Sequence, residues 1–333
     1  MSSKNKLFLS IIIPNYNSGK LLRRCLESIL VATEGDYEII VVDDGSTDKS
    51  LSFVPKDSHI KLIRQENKGV ASARNIGIRN ANAEYLMFVD ADDTLDTEWY
   101  STCKQFEVGN TDLVVFNYYS RGKLIKLTER ETHYNSRILS SFIEKALKDP
   151  TRYMTVWGKL FKRQTIVENN LEFNCNLSLA EDGDFLLKYL FMISSIIEMP
   201  NVLYNYHSNG QSVMHTFDNH KVQGYLIALN ESQKTIIDQK NQQVIHWFNF
   251  YILMHFNIMM VHEVFDIDNS QNWHAKLNEL KQVLAKPIIR GAVKNIKLTE
   301  CNALRMVPVL LLKLHLYSLA GILYVIRSRQ NHQ

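Results

Sequence analysis

Short β-rich runs alternate with helical stripes through the first 120 residues, and this alternation restricts the chain more than any other feature. Residues 8–13 read as a buried strand. Leu21, Leu22, Cys25, Leu26, Ile29 and Leu30 then recur at helical spacing, and residues 37–42 read as a second strand. A third strand is expected over 60–64, a helix over 69–81, a fourth strand over 85–89 and another over 112–118. Such an order implies an α/β fold with a doubly wound, mostly parallel sheet and helices on both faces. Ligands bind such sheets beyond the carboxyl ends of the strands, so the residues following each strand carry the functional expectation.

Composition removes several other classes. Hydrophobic residues make up 45% of the 333 and charged residues 22%, with 13 Gly and 6 Pro, which excludes a disordered or collagen-like chain. Cys25, Cys103, Cys175 and Cys301 form no C-x-x-C pair, so neither a zinc ribbon nor a dense disulfide framework is expected, and a reducing cytosol is. The apolar run 7–13 stops at Pro14, too short for a signal-peptide core or a membrane span. From about residue 215 the pattern changes to helical segments, expected over 218–239, 243–265, 273–285 and 303–327. The expected organisation is a catalytic domain over 1–214 and a helical region over 215–333.

Acids gather after the strands. Asp90, Asp92 and Asp93 follow the apolar run 85–89, where three crowded carboxylates repel one another unless a hard cation or hydrogen-bond donors compensate them. Without a cation, the same residues would form a turn capping the next helix. Asp43 and Asp44 follow 37–42, and an acid there can accept hydrogen bonds from a nucleotide's ribose or base. Pro14-Asn15-Tyr16-Asn17 stands where a G-x-G-x-x-G turn would be, which disfavours an NAD or FAD site. Further along, Glu181 and Asp182 open an apolar helical stripe, where acids can simply cap the helix.

Four segments in order, Ser10-Ile11-Ile12-Ile13-Pro14-Asn15-Tyr16-Asn17, Val41-Val42-Asp43-Asp44-Gly45-Ser46-Thr47-Asp48, Asn67-Lys68-Gly69-Val70-Ala71-Ser72-Ala73-Arg74-Asn75-Ile76-Gly77 and Phe88-Val89-Asp90-Ala91-Asp92-Asp93, resemble family 2 glycosyltransferases of the GT-A fold. A looser likeness continues through Val156-Trp157-Gly158-Lys159-Leu160-Phe161, Glu181-Asp182 and Leu203-Tyr204-Asn205-Tyr206-His207. The resemblance implies that Pro14, Tyr16 and Asp44 line the nucleotide pocket and that Arg74 approaches the nucleotide or its phosphates. Asp90 would contact ribose, sugar or metal, and Asp92 of the D-x-D motif would bind Mn2+ or Mg2+. Asp182 would be the general base of an inverting transfer. Trp157, Lys159, Glu181 and His207 are candidate acceptor or phosphate contacts, Trp157 being equally readable as core.

The same resemblance implies a UDP-sugar donor carrying glucose, galactose or N-acetylhexosamine. It implies a lipid-linked bacterial surface glycan as acceptor, with lipopolysaccharide core first and capsule, exopolysaccharide or teichoic acid as alternatives. Residues 281–333 hold nine Lys or Arg against Glu300 alone, leaving 29 basic and 34 acidic residues before them. Within that basic tail, 306–326 is apolar apart from Lys313, His315 and Ser318. It can be an interfacial helix presenting Leu310, Leu314, Tyr317, Gly321 and Tyr324 to the inner membrane's cytoplasmic face, or a buried helix. The enzyme is thus expected in the cytoplasm, as a peripheral membrane protein at most. Aromatic residues do not interleave with the tail's cations, so nucleic acid is not an expected partner. Two rivals stay open: a haloacid-dehalogenase-like phosphatase with Asp90 as nucleophile, and a non-catalytic glycan-binding module.

Overall fold

The computed structural model describes residues 7–106, 109–207, 218, 220–301 and 303–332. The chain divides into two compact units, one of Met1–Phe142 with Thr155–Asn209, the other of Ile143–Met154 with Gly210–Gln333. The helical unit thus draws on residues 143–154 as well as on the tail, which a single boundary at 214/215 does not express.

The first unit is built on one mixed sheet. Its strands are β1 (Leu9–Asn15), β2 (Tyr37–Asp44), β3 (Ile60–Gln65), β4 (Tyr85–Phe88), β5 (Thr94–Leu95), β6 (Leu113–Ser120), β7 (Lys123–Ile125), β8 (Thr132–Tyr134), β9 (Lys159–Lys162) and β10 (Ile196–Tyr206). The order is β3-β2-β1-β4-β9-β6-β10-β5, with β7 on β6 and β8 on β10. Neighbours β1, β2, β3 and β4 pair in parallel, as do β6 and β10, and β9 runs antiparallel between β4 and β6. The mostly parallel sheet expected from the alternation is therefore present, with one reversed strand inside it.

Ile11, Ile12 and Ile13 on β1 and Ile39, Ile40, Val41 and Val42 on β2 are all fully buried, because helices cover both faces of these strands. Helix Lys20–Ile29 contributes Leu22, Cys25, Leu26 and Ile29. Helix Val70–Asn80 comes closer still: a Cβ added to Gly77 would stand 2.3 Å from Ile12 Cγ2, so only glycine permits this seating. The parallel register sets Asn15 beside Asp43, and β4 ends at Phe88, so the polar segments after β1, β2 and β4 emerge along one edge.

The second unit is helical: Lys221–Asp238, Gln242–Met259, Trp273–Leu284, Pro287–Asn295, Val307–Lys313 and Tyr317–Asn331. One stretch, Gln242–Val264, is long and apolar enough to cross a membrane, but 78% of its apolar window is buried inside the protein, as in a core helix. The single tail helix expected over 303–327 is two helices broken at residues 314–316, with His315 at φ 59°. Lys313 is the last residue of the first helix. Its Nζ donates to the carbonyls of Val293 and Ile296, both at 2.5 Å, satisfying the end of helix Pro287–Asn295. The face is also corrected: Gly321 and Tyr324, expected outward, are buried, while Leu316, Leu319, Ile322 and Ile326 are exposed.

Candidate active site

Two loops at the sheet edge are sewn together by short polar side chains. Asn15 Nδ2 donates to Asp43 Oδ1 (2.9 Å) and Ser46 Oγ (3.1 Å). Asn17 Oδ1 accepts from the backbone of Thr47 (2.8 Å) and Asp48 (3.2 Å). Tyr16 stands between them, 51% exposed, and Pro14 is half-buried at the end of β1. Asp44 is 4% exposed and already holds three donors: Gln65 Nε2 at 2.6 Å, Lys68 N at 2.8 Å and Gly69 N at 2.8 Å. Those bonds fix the turn into helix Val70–Asn80, where Gly69 has φ 87°.

That helix carries Arg74 into a cluster of acids drawn from distant parts of the chain. Its Nη2 donates to Asp90 Oδ1 at 2.9 Å, and its Nη1 to Glu181 Oε1 at 3.0 Å and Asp182 Oδ1 at 2.6 Å. The guanidinium lies 5.3 Å from the Phe173 ring centroid. Burial works against its charge, but Asp182, Asp90 and Glu181 together outweigh burial and hold it protonated. Glu181 and Asp182 occupy the first turn of helix Glu181–Leu190, whose positive end favours anions. Ala180 enters that helix at φ 57°, a left-handed conformation uncommon for a residue with a Cβ.

One cation cannot neutralise three acids. Asp182 retains 22% side-chain exposure, and its carboxyl is pushed up to about 7 by burial, with the charges of Glu181 and Asp90 adding to the effect. Arg74 and a hydrogen bond from the Val156 backbone oppose this rise. A carboxyl so poised is half ionised near neutral pH, where a general base is most useful.

The D-x-D loop follows β4. Asp93 is fully buried, accepting from Tyr204 Oη at 2.6 Å and His207 N at 2.7 Å, and Tyr204 Oη in turn accepts the Asp90 backbone N–H at 3.1 Å. Burial and the neighbouring Asp90 charge push the Asp93 carboxyl up to about 8. His207 Nε2 lies 2.9 Å from Thr94 Oγ1. Asp92 is half-buried at the rim, and its backbone carbonyl accepts from Arg24 Nη2. The sequence offers Asp93 as one of three carboxylates around a cation or as part of a capping turn, and gives no role to Tyr204, Arg24 or Asn15. Tyr204-Asn205-Tyr206-His207 was the available signal for Tyr204.

These residues test the expected divalent cation. Asp90 is engaged by Arg74 and Asp93 by Tyr204 and His207, so the D-x-D loop does not present a closed three-ligand cage. Among the described residues, the acidic or histidine trio whose ligand atoms lie within 4.8 Å of one another is Asp266, Asp268 and His332, in the helical unit. There Asp266 already bonds Ser328 and His332, both at 3.2 Å. Hard carboxylate oxygens gathered on one side still suit an ion that takes its other ligands from phosphate and water. The donor set fits Mn2+ or Mg2+ in that open mode.

Two expected contacts lie deeper than a substrate reaches. Lys159 is 1% exposed, its Nζ bonding Thr155 Oγ1 at 3.1 Å, and burial pulls its ammonium down to about 7 against the pull of Asp182. It underlies the acids instead of facing an acceptor. Trp157 is 9% exposed and stacks between Tyr204 and Tyr206, with centroids 4.8 and 5.7 Å away, so its core reading is the one the packing supports.

The family described as Glycosyl transferase family 2 matches residues 10–168. The chain is 26% identical to "Putative glycosyltransferase EpsH" of Bacillus subtilis (strain 168), over 92% of this chain and 91% of that one. It is 30% identical to "Glycosyltransferase GlyG" of Streptococcus pneumoniae serotype 4, over 62% of this chain and 73% of that one. Among solved structures, S. aureus TarS 1–349 in complex with UDP-GlcNAc superposes with a TM-score of 0.67 at 18% identity, covering 98% of this chain and 92% of that one. The shared fold is the GT-A arrangement expected from the four motifs.

Proposed function

The chain belongs to glycosyl transferase family 2, and from that membership we propose that it moves a hexose from a UDP-sugar to a hydroxyl of a bacterial surface glycan with inversion at the anomeric carbon. The observation that carries this reading is the convergence of Asp90, Glu181 and Asp182 on Arg74 at the carboxyl edge of the sheet. A UDP donor accords with the UDP-GlcNAc complex of the similar fold. With a glycosyltransferase family in place, neither the phosphatase reading of Asp90 nor the non-catalytic reading is needed.

The donor's base and ribose lie against Pro14, Tyr16 and the Asp44 turn, with Asp90 toward the ribose and sugar, while Arg74, 3% exposed, acts on the donor side through the acids it holds. Asp92 would hold Mn2+ or Mg2+, and His207 lies where it can approach the same phosphates. That ion, when bound, offsets the negative charge gathering on the departing diphosphate. Asp182 takes the proton of the acceptor hydroxyl as its oxygen bonds to the anomeric carbon. On the opposite side, the bond from that carbon to the diphosphate oxygen breaks and its electron pair leaves with UDP. Glu181, sharing Arg74, borders the acceptor side.

The sugar is glucose, galactose or N-acetylhexosamine. The acceptor is a lipid-linked glycan, lipopolysaccharide core first, with capsule, exopolysaccharide or teichoic acid as the other classes. Such a reaction takes place in the cytoplasm, at the inner-membrane surface. The test is a screen of nucleotide sugars for binding and slow hydrolysis, followed by NMR of the transfer product. A UDP-hexose hit and an inverted anomeric centre are expected. Retained configuration, or transfer undiminished in Asp182→Asn, overturns the mechanism.

A further inference from the structure

The first ten residues of helix Tyr317–Asn331 are apolar apart from Ser318, and the second unit covers one side of them. Tyr324 stacks on Phe265 with centroids 5.7 Å apart, and a Cβ on Gly321 would stand 2.9 Å from both Phe265 and Trp273. At 3.6 residues per turn, Leu319, Ile322, Leu323 and Ile326 fall on an arc of roughly 100° on the other side, with Leu316 just before the helix and Gln330 on the same arc at its C-terminal end. Leu316, Leu319, Ile322 and Ile326 are 42%, 50%, 47% and 45% exposed. Leu314, at the break, is 50% exposed and Leu304 82%, and Arg327 Nη2 ties Leu304 to this helix through its carbonyl at 2.8 Å.

Cations rim the arc. On the helical wheel Arg329 falls on one side of it and Arg327 on the other. Glu300, the one acid among residues 281–333, is paired with His246 at 2.8 Å. We propose that this face docks on an anionic lipid bilayer, with the Leu316–Ile326 row entering the acyl boundary and Arg327 and Arg329 meeting the headgroups. Charge selects the occupant. A second copy joined through the same face would bring like charges together, whereas a sheet of anionic headgroups answers them. This deepens the membrane-surface placement proposed above, naming the face that makes it, and does not depend on the donor chemistry.

The test sediments the full chain with vesicles of phosphatidylglycerol and phosphatidylethanolamine, and separately with phosphatidylcholine vesicles. Partitioning at least about tenfold stronger into the anionic vesicles is expected, and raised salt should weaken it. The variant Leu319→Ser/Ile322→Ser/Ile326→Ser, confined to exposed positions, should lose about tenfold in partitioning while its Tm and UDP binding stay unchanged. Equal partitioning of the variant and the parent overturns the proposal. So does a parent dimer, seen by light scattering, that the variant converts to monomer. UDP binding without partitioning defeats only the docking face, and partitioning without UDP binding defeats only the donor reading.

Discussion

Tyr204 gives its hydroxyl proton to Asp93 across 2.6 Å, joining two residues 111 positions apart, and the same oxygen accepts the backbone N–H of Asp90. One hydroxyl thus orders the D-x-D loop from the strand beside it.

Replacing Tyr204 with Phe keeps the ring that stacks on Trp157 and deletes only those two bonds. Asp93, fully buried, then loses a donor, so a stability loss of about 1–3 kcal/mol is expected in urea unfolding. The loop's altered position should appear as a raised KM for the donor together with a lowered kcat.

Asp182→Asn should lower transfer by about 10²–10⁴ while leaving UDP binding within a few-fold, as measured by single-turnover kinetics and calorimetry. In the parent enzyme kcat should climb as pH rises through about 7, where the Asp182 carboxyl gives up its proton, and then level off.

The same carboxyl has a stability signature of opposite direction. Its proton is held more tightly in the folded state than at the ordinary value of 3.8, so the native state binds more protons than the unfolded one between 3.8 and about 7. Stability contributed by this group therefore falls as pH rises through that window. Asp182→Asn should flatten the fall, and Tm measured across the window checks it.

Removing Arg74 is a different matter. Arg74→Ala would leave Asp90, Glu181 and Asp182 facing one another with no shared cation, at an expected cost of about 3–5 kcal/mol in chemical unfolding. Arg74→Lys should recover little of this, because a single ammonium cannot reproduce the two-nitrogen fork that serves three acids.

Asp92→Asn should weaken the dependence of UDP affinity on Mn2+, leaving metal-free affinity close to the parent's. Titration calorimetry with and without the ion reads both quantities. Unchanged metal dependence would move the ion away from Asp92.

Strands β1, β2 and β4 were legible in the sequence because helices bury both their faces, so each reads as a nearly continuous apolar run, interrupted by Ser10 in β1 and Glu38 in β2. Strand β9 was not: it is four residues long with lysine at both ends, and its place is set by partners on β4 and β6 far away in sequence. Strand β10 contains Pro200, where its pairing with β6 shifts register, a position that pattern alone reads as a loop. Arg74, Asp90 and Asp182 were each readable from motifs, but their convergence was not, since it brings Asp182 to Arg74 from 108 positions away. Lys159 shows the opposite limit. A lysine in a motif looks like a phosphate contact until burial is known.

Gly77 lies one turn beyond Arg74 on the same helix, and its bare backbone rests on Ile12. The lever from the central strand to the guanidinium is therefore short and stiff, and the clamp inherits the rigidity of the sheet instead of the give of a loop. Libraries aimed only at the pocket lining will leave that rigidity untouched. A change at the seam between Gly77 and Ile12 would shift the guanidinium that three acids share without altering any of them.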